Sequence, residues 1–240
     1  VFKILRHTTL GMLLLSIMPL TFWLSEWHWN PCKNDINLLW LFIIMQTVNS
    51  PWVILTNVLL SILMFKCLPS KANVLLILIF IINITIVAGQ QIKSFIKYNT
   101  KEPRPYVIWL ESNYGINSQK FYQLKIEERR KKIVDLNISN KTVPIWLKQH
   151  WIHETDFSFP SGHTIFVSSW ALLVMYFLWP YRYYKTILIV LIWAYIIMAS
   201  RLLFGMHWVQ DLVVANILSW ILVNLMIYSI NYLILINRKQ

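Results

Sequence analysis

The chain has 240 residues, of which 57% are hydrophobic and only 13% charged, with a mean hydropathy of +0.53. Soluble domains carry about 25% charged residues, so this composition excludes an ordinary soluble domain and indicates an integral membrane protein. The net charge of +12 then reads as juxtamembrane anchoring and contact with anionic lipid, not as nucleic-acid binding.

In chain order, Lys3 and Arg6 precede an apolar run that ends in Trp23 and Trp27. No small-residue cleavage site follows it, so it reads as an uncleaved first membrane helix over 6–26. A polar loop at 28–37 leads to LLWLFIIMQTVN, residues 38–49, which is too short to span and reads as an interfacial or re-entrant helix. Second and third spans are expected at 51–68 and 72–92, separated by the short turn PSK. Gln90, Gln91 and Lys93 place the end of the third at a wet site. Residues 93–160 hold twelve of the 22 Lys and Arg and seven of the ten Asp and Glu, an extramembrane insert either folded or disordered. Within it, 120–137 has the pattern of a surface helix. Three more spans follow at 164–179, 186–204 and 212–237. The expectation is therefore an all-α integral membrane protein. It has six transmembrane helices and a small, mainly helical periplasmic insert between the third and fourth. Residues 1–92 would form helices 1–3, 93–160 the insert and 161–240 helices 4–6.

Six spans put both termini on one side. Lys3, Arg6, Lys66, Lys71, Arg182, Lys185, Arg238 and Lys239 all fall on that side, which the positive-inside rule makes cytoplasmic. The insert, long enough to translocate regardless of charge, then lies outside the cytoplasm. The two cysteines, Cys32 and Cys67, are expected on opposite faces and so unpaired. No metal-binding spacing occurs, and neither metal nor cofactor is expected.

Three polar clusters fall at the outer mouths of spans three to six. The first holds Lys97 and Arg104, the latter between two prolines. The second is Pro160-Ser161-Gly162-His163, a tight turn at a helix start. The third holds Arg201, His207 and Asp211. If 207–211 begins the sixth helix, His207 and Asp211 are i and i+4 and share a face, and the carboxylate can fix the imidazole tautomer. Arg201 needs an anionic partner beside the membrane, whether Asp211 or a ligand. Gly162 lets a backbone approach a ligand closely, and the free N–H groups of a helix start bind anions. Three cations with these donors make a phosphate pocket. Two histidines suit phosphoryl transfer by a covalent route, one as nucleophile and one as acid.

Taken together, Lys97 separated by six residues from Arg104-Pro105, Pro160-Ser161-Gly162-His163, and Ser200-Arg201 with His207 and Asp211 resemble the three-part signature of the type 2 phosphatidic acid phosphatase superfamily. The resemblance implies that His207 is the nucleophile, Asp211 its orienter and His163 the acid and then the base. It also implies that Lys97, Arg104, Ser161, Gly162 and Arg201 bind the phosphoryl oxygens without a metal. The substrates it implies are lipid phosphates in the bilayer. Phosphatidylglycerophosphate would yield phosphatidylglycerol, and undecaprenyl pyrophosphate would yield undecaprenyl phosphate. The location implied is a bacterial inner membrane with the site on the periplasmic face. Two rival readings are a lipid phosphotransferase with an acceptor other than water, and a lipid transporter, which has no use for a His–Asp pair beside a second histidine.

Overall fold

The computed structural model describes residues 2–31 and 38–237. Cys32, Arg238 and Lys239 lie outside the described residues. Among these, eleven α-helices form and no strand. Five helices are long and apolar enough to cross a membrane, and a bent pair makes a sixth candidate crossing. The protein is an all-helical, multi-pass membrane protein.

α1 (Phe2–Leu24) is followed by α2 (Leu39–Met45), which tightens into a 3₁₀ turn over Gln46–Val48. α3 (Trp52–Cys67) leaves that elbow at 70° to it. α9 (Gly162–Leu178) is the axis of the bundle. It is apolar all round and buried along nearly its whole length against α1, α4, α10 (Tyr184–Leu203) and α11 (Val209–Asn237). A helix of that composition belongs at a centre rather than a surface. α3 and α4 (Ala72–Thr100) sit at the edge instead, presenting Leu55, Leu59, Ile77, Phe80 and Ile84 outward. Those side chains cost nothing in lipid. Polar groups within the spans do cost, and several are paired across helices. The Asn57 amide donates to Asn83 and accepts from Trp170 Nε1 at 3.1 Å, while Asn216 Nδ2 donates to Ser16 Oγ at 2.8 Å.

α4 continues eight residues beyond the expected end of the third span, so Lys97 sits on its last turn. Gln90, Gln91, Lys93 and Lys97 are all good helix formers. The helix stops only at Lys101, which adopts a left-handed φ of 50°, just before Glu102-Pro103-Arg104-Pro105. Proline disfavours helical geometry in the residue before it. Arg104 then caps α5 (Pro105–Tyr114), with Pro105 in the first helical position, where its missing N–H is harmless.

The insert is folded. The single surface helix expected over 120–137 is instead two, α6 (Ser118–Gln123) and α7 (Ile126–Asp135), separated by extended Leu124 and Lys125. Glu128 takes the Lys125 N–H at 2.8 Å and Arg129 Nε donates to Leu124 O at 3.0 Å. Local side-chain bonds thus start α7 afresh. α8 (Ile145–His153) carries the anchor of the insert, Trp151, which is fully buried. Its Nε1 donates to Phe204 O at 3.0 Å, and Tyr106 stacks on its ring at 4.8 Å. The α10–α11 loop is therefore clamped between bundle and insert.

Gly205 in that loop has φ +67°, and a Cβ there would lie 2.6 Å from the Trp29 ring. Gly205→Ala combines left-handed strain with a clash against the half-buried Trp29 ring, at a cost of about 1–3 kcal/mol. Thermal unfolding in detergent is expected to show a lowered midpoint, and activity should fall with it because His207 is two residues away.

Candidate active site

All three clusters meet at the end of the bundle that carries the insert. α4 delivers Lys97, the segment before α5 delivers Arg104, and the start of α9 delivers Ser161, Gly162 and His163. The end of α10 supplies Arg201, and His207 and Asp211 flank the start of α11. Every one of the eight expected residues lies in this one region.

His207 Nδ1 lies 3.0 Å from Asp211 Oδ2 although α11 begins only at Val209. Asp211 Oδ2 also accepts from Ser158 Oγ and from the Trp208 N–H at 3.0 Å. Three donors hold the carboxylate in place. It accepts the Nδ1 proton, so the lone pair of His207 is on Nε2. Burial pushes the His207 imidazole well below the ordinary histidine range, and Arg104, Arg201 and Lys97 push it the same way. Neutral and oriented, it meets the requirements of a nitrogen nucleophile.

Ser161 is the N-cap of α9, accepting from Thr164 N at 3.3 Å and Thr164 Oγ1 at 2.9 Å. Its own hydroxyl hydrogen remains to be donated. A Cβ on Gly162 would fall 2.7 Å from Lys93 Cδ, so any larger residue there would push the Lys93 side chain aside.

The cations are not empty-handed. Arg201 Nη2 donates to Glu154 Oε2 at 2.6 Å and Arg201 Nη1 to His150 Nε2 at 3.1 Å. Arg104 Nη1 donates to Glu154 Oε2 at 3.2 Å, and its other arm pairs with Asp156. Lys97 Nζ pairs with Asp156 Oδ2 at 2.7 Å and donates to Phe157 O at 2.6 Å. Arg201 is thus matched by Glu154, not by the Asp211 that sequence proximity offered. Glu154 Oε1 also stands 3.6 Å from His150 Nε2 and 3.8 Å from His163 Nε2. Burial alone would raise the Glu154 carboxyl. Arg201, His150, His163 and Arg104 outweigh it and hold the group well below the usual carboxylate range. One carboxylate thus sits among two guanidinium groups and two imidazoles, the surroundings suited to a phosphoryl group.

Two cavities meet here. A chamber of about 280 Å³ is lined by Lys97, Arg104, His207, Gly162 and His163. A cleft of about 930 Å³ runs between α3, α4 and α9 beside the apolar Val53, Ile54, Ile86, Val87 and Phe166. Lys93, His153, Glu154, Gly162 and His163 line both, so the chamber opens into the cleft at His163 and Glu154. Among the described residues, no group of three His, Cys, Asp or Glu side chains is placed to hold a metal ion.

Residues 73–235, spanning all three clusters, match the family model of the PAP2 superfamily. The chain belongs to the PAP2 superfamily. Within it, the chain is 44% identical over 221 residues to a protein of Escherichia coli (strain K12) named phosphatidylglycerophosphatase B, covering 92% of this chain and 87% of that protein. A Shigella flexneri protein of the same name is equally similar. A Haemophilus influenzae protein of that name is 30% identical over 231 residues, covering 93% of this chain and 95% of its own.

In this PAP2 chain, sequence reading missed the residues that hold the cations and the acid. Glu154, Asp156, Ser158, His150 and Asn49 belong to no short motif, and each meets the site only through the folded chain. Glu154 and Asp156 did carry a signal. They are the two acidic residues between α8 and α9, next to a motif with none of its own.

Burial also lowers His150, to about 3, with Arg201 and Arg104 adding to it against Glu154. In the unfolded chain both His150 and His207 take up protons below the ordinary histidine pKa of about 6.5, while the folded protein keeps them neutral. The unfolded state therefore binds more protons as pH falls below that value. Folding stability should drop by about 1.4 kcal/mol per pH unit for each such group. A detergent-unfolding series from pH 8 to 5 is expected to be flat at first and then to fall. His150→Gln should make the fall shallower.

Proposed function

We propose that this protein is a membrane lipid phosphatase. It removes the terminal phosphate of phosphatidylglycerophosphate, giving phosphatidylglycerol, and of undecaprenyl pyrophosphate, giving undecaprenyl phosphate. The reading is carried by how the two histidines divide the cavities. His207 lines only the small cationic chamber, whereas His163 stands at the mouth between chamber and lipid-facing cleft. A phosphoryl group in the chamber with its lipid in the cleft would have His207 on one side and the leaving oxygen, beside His163, on the other. That is the arrangement an in-line displacement needs. The relatives' shared name, phosphatidylglycerophosphatase B, supports the first substrate.

The lone pair of His207 Nε2 attacks the terminal phosphorus. The P–O bond to the lipid breaks, its electron pair passes to the oxygen, and His163 supplies the proton. Asp211 keeps the Nδ1 proton in place and balances the cationic phosphohistidine. Lys97, Arg104, Arg201, the Ser161 hydroxyl and the Gly162 N–H hold the three phosphoryl oxygens as charge shifts among them. His163, now a base, takes a proton from water as its oxygen attacks phosphorus. The N–P bond breaks and returns the lone pair to His207. The cleft admits lipid sideways from the bilayer. Charge placement in the short loops puts both termini in the cytoplasm and the site on the periplasmic face of the inner membrane.

The test is phosphate release by purified protein in detergent with added lipid, with phosphatidylglycerophosphate and undecaprenyl pyrophosphate as substrates. Free inorganic phosphate from both is expected. Phosphate that leaves the lipid but stays in organic form would establish a phosphotransferase instead, and no cleavage of either lipid would favour a transporter.

A further inference from the structure

The elbow between α2 and α3 reaches the site through one side chain that lies in none of the three motifs. Asn49 Oδ1 lies 2.6 Å from His163 Nε2. Its Nδ2 donates to Gln46 Oε1 at 3.1 Å, and the oxygen faces the imidazole. An oxygen accepts, so the proton of this bond belongs to His163 Nε2. That same nitrogen is the one 3.8 Å from Glu154 Oε1, at the mouth between chamber and cleft. The elbow itself is pinned. Thr56 Oγ1 donates to Thr47 O at 2.6 Å, and Trp193 Nε1 donates to Thr47 Oγ1 at 3.1 Å. The Asn49 carbonyl is thus a fixed dipole beside a group whose work is to carry a proton.

We propose that Asn49 is a positioning residue for His163, holding the Nε2–H across the mouth where the leaving oxygen of a lipid phosphate arrives. This rests on His163 being the acid of the function proposed above. The doubly protonated imidazole gives its Nε2 proton to the leaving oxygen as the P–O electron pair passes to that oxygen, and Asn49 itself neither gains nor loses a proton. Afterwards the Asn49 oxygen faces a lone pair on Nε2. That repulsion favours Nε2 taking a proton back from the attacking water. The contact keeps the proton on Nε2 until the leaving oxygen arrives and favours its recapture from water afterwards, because hydrogen bonding to the protonated form stabilises that form.

The test uses leaving-group dependence. An alkyl lipid phosphate, dioctanoyl phosphatidic acid, needs its leaving oxygen protonated, whereas the nitrophenolate of p-nitrophenyl phosphate departs without a proton. The quantity read is the ratio of kcat/KM for the nitrophenyl ester to that for the lipid. It covers only steps through P–O cleavage, and as an internal ratio it does not depend on the folded fraction. Asn49→Ala is expected to raise the ratio about tenfold, while Asn49→Asp, which keeps the acceptor oxygen, stays within about threefold of the parent protein. Asn49→Leu, similar in volume and without an acceptor, should match the Ala protein and replaces it if that one does not fold. His163→Ala, as control, must raise the ratio at least as much. An unchanged ratio there would overturn the acid role of His163 itself. A raised ratio in His163→Ala with an unchanged one in Asn49→Ala and Asn49→Leu, or equal ratios in the Ala and Asp proteins, would overturn the role of Asn49 alone.

Discussion

His207→Ala is expected to hydrolyse lipid phosphates more slowly by a factor on the order of 10⁴ or greater. The side chain is 2% exposed and anchored to Asp211, which Ser158 and the Trp208 N–H hold in turn. Removing the side chain removes the only imidazole that, among the described residues, lines the chamber without also lining the cleft. Water left in its place is a poorer nucleophile and has no orienting partner. The phosphate cradle itself is untouched, so KM should change far less than kcat. Asp211→Asn keeps the volume but lets an amide N–H face Nδ1. The lone pair then moves off Nε2, and a loss of about 10²- to 10⁴-fold is expected. The initial rate of phosphate release for each variant, beside its unfolding midpoint, separates loss of chemistry from loss of fold.

Glu154→Gln should have opposite effects on stability and on binding. In the unliganded protein Glu154 links Arg104 and Arg201 and faces His150 and His163. Arg201 is fully buried and its Nε has no hydrogen-bond partner among the described residues. Removing the charge that matches it costs about 3–5 kcal/mol when nothing replaces that charge. The unliganded variant should therefore unfold at a clearly lower temperature. A phosphoryl group, however, must displace the Glu154 carboxylate to reach the same guanidinium groups. Without that competitor, orthovanadate should bind about 10- to 100-fold more tightly, each factor of ten being worth 1.4 kcal/mol. Saturating vanadate should restore most of the lost stability. Unchanged or weaker vanadate binding would mean that Glu154 does not stand where the phosphoryl group goes. Because the group is held well below the usual carboxylate range, the charge persists through the working pH range. The competition should hardly vary between pH 6 and 8.

The helices and the site were legible in the sequence to different depths. Long apolar runs located five of the helices to within a few residues at both ends, the far end of α4 being the exception and α3 crossing only as half of a bent pair, because in lipid an apolar stretch of that length has no other stable structure. Helix ends were less legible where polar residues were also helix formers, as at Lys93 and Lys97. There the stop comes from the prolines around Arg104, not from a loss of apolarity. The break between α6 and α7 hides in Leu124-Lys125, neither a helix breaker, and depends on Glu128 and Arg129 reaching back. The charged motif residues and the histidines could be picked out because such side chains are costly near span ends, and Ser161 and Gly162 because they share a turn with His163. The counter-charges of the cations could not. Glu154 and Asp156 lie about fifty residues from Arg104 in sequence, and only the docking of α8 through Trp151 brings them into the chamber. Asn49 is further still, 114 residues from His163, and a lone Asn beside a proline reads as turn chemistry.

A covalent phosphohistidine is the claim on which the proposed function depends, and trapping it is the direct measurement. Protein given lipid labelled in its terminal phosphate is quenched in alkali, where phosphohistidine survives, then digested and mapped. The label is expected on the peptide carrying His207 in the parent protein and not at all in His207→Ala. Steady turnover with no label at His207, or undiminished phosphate release by folded His207→Ala, would contradict the mechanism at its first step.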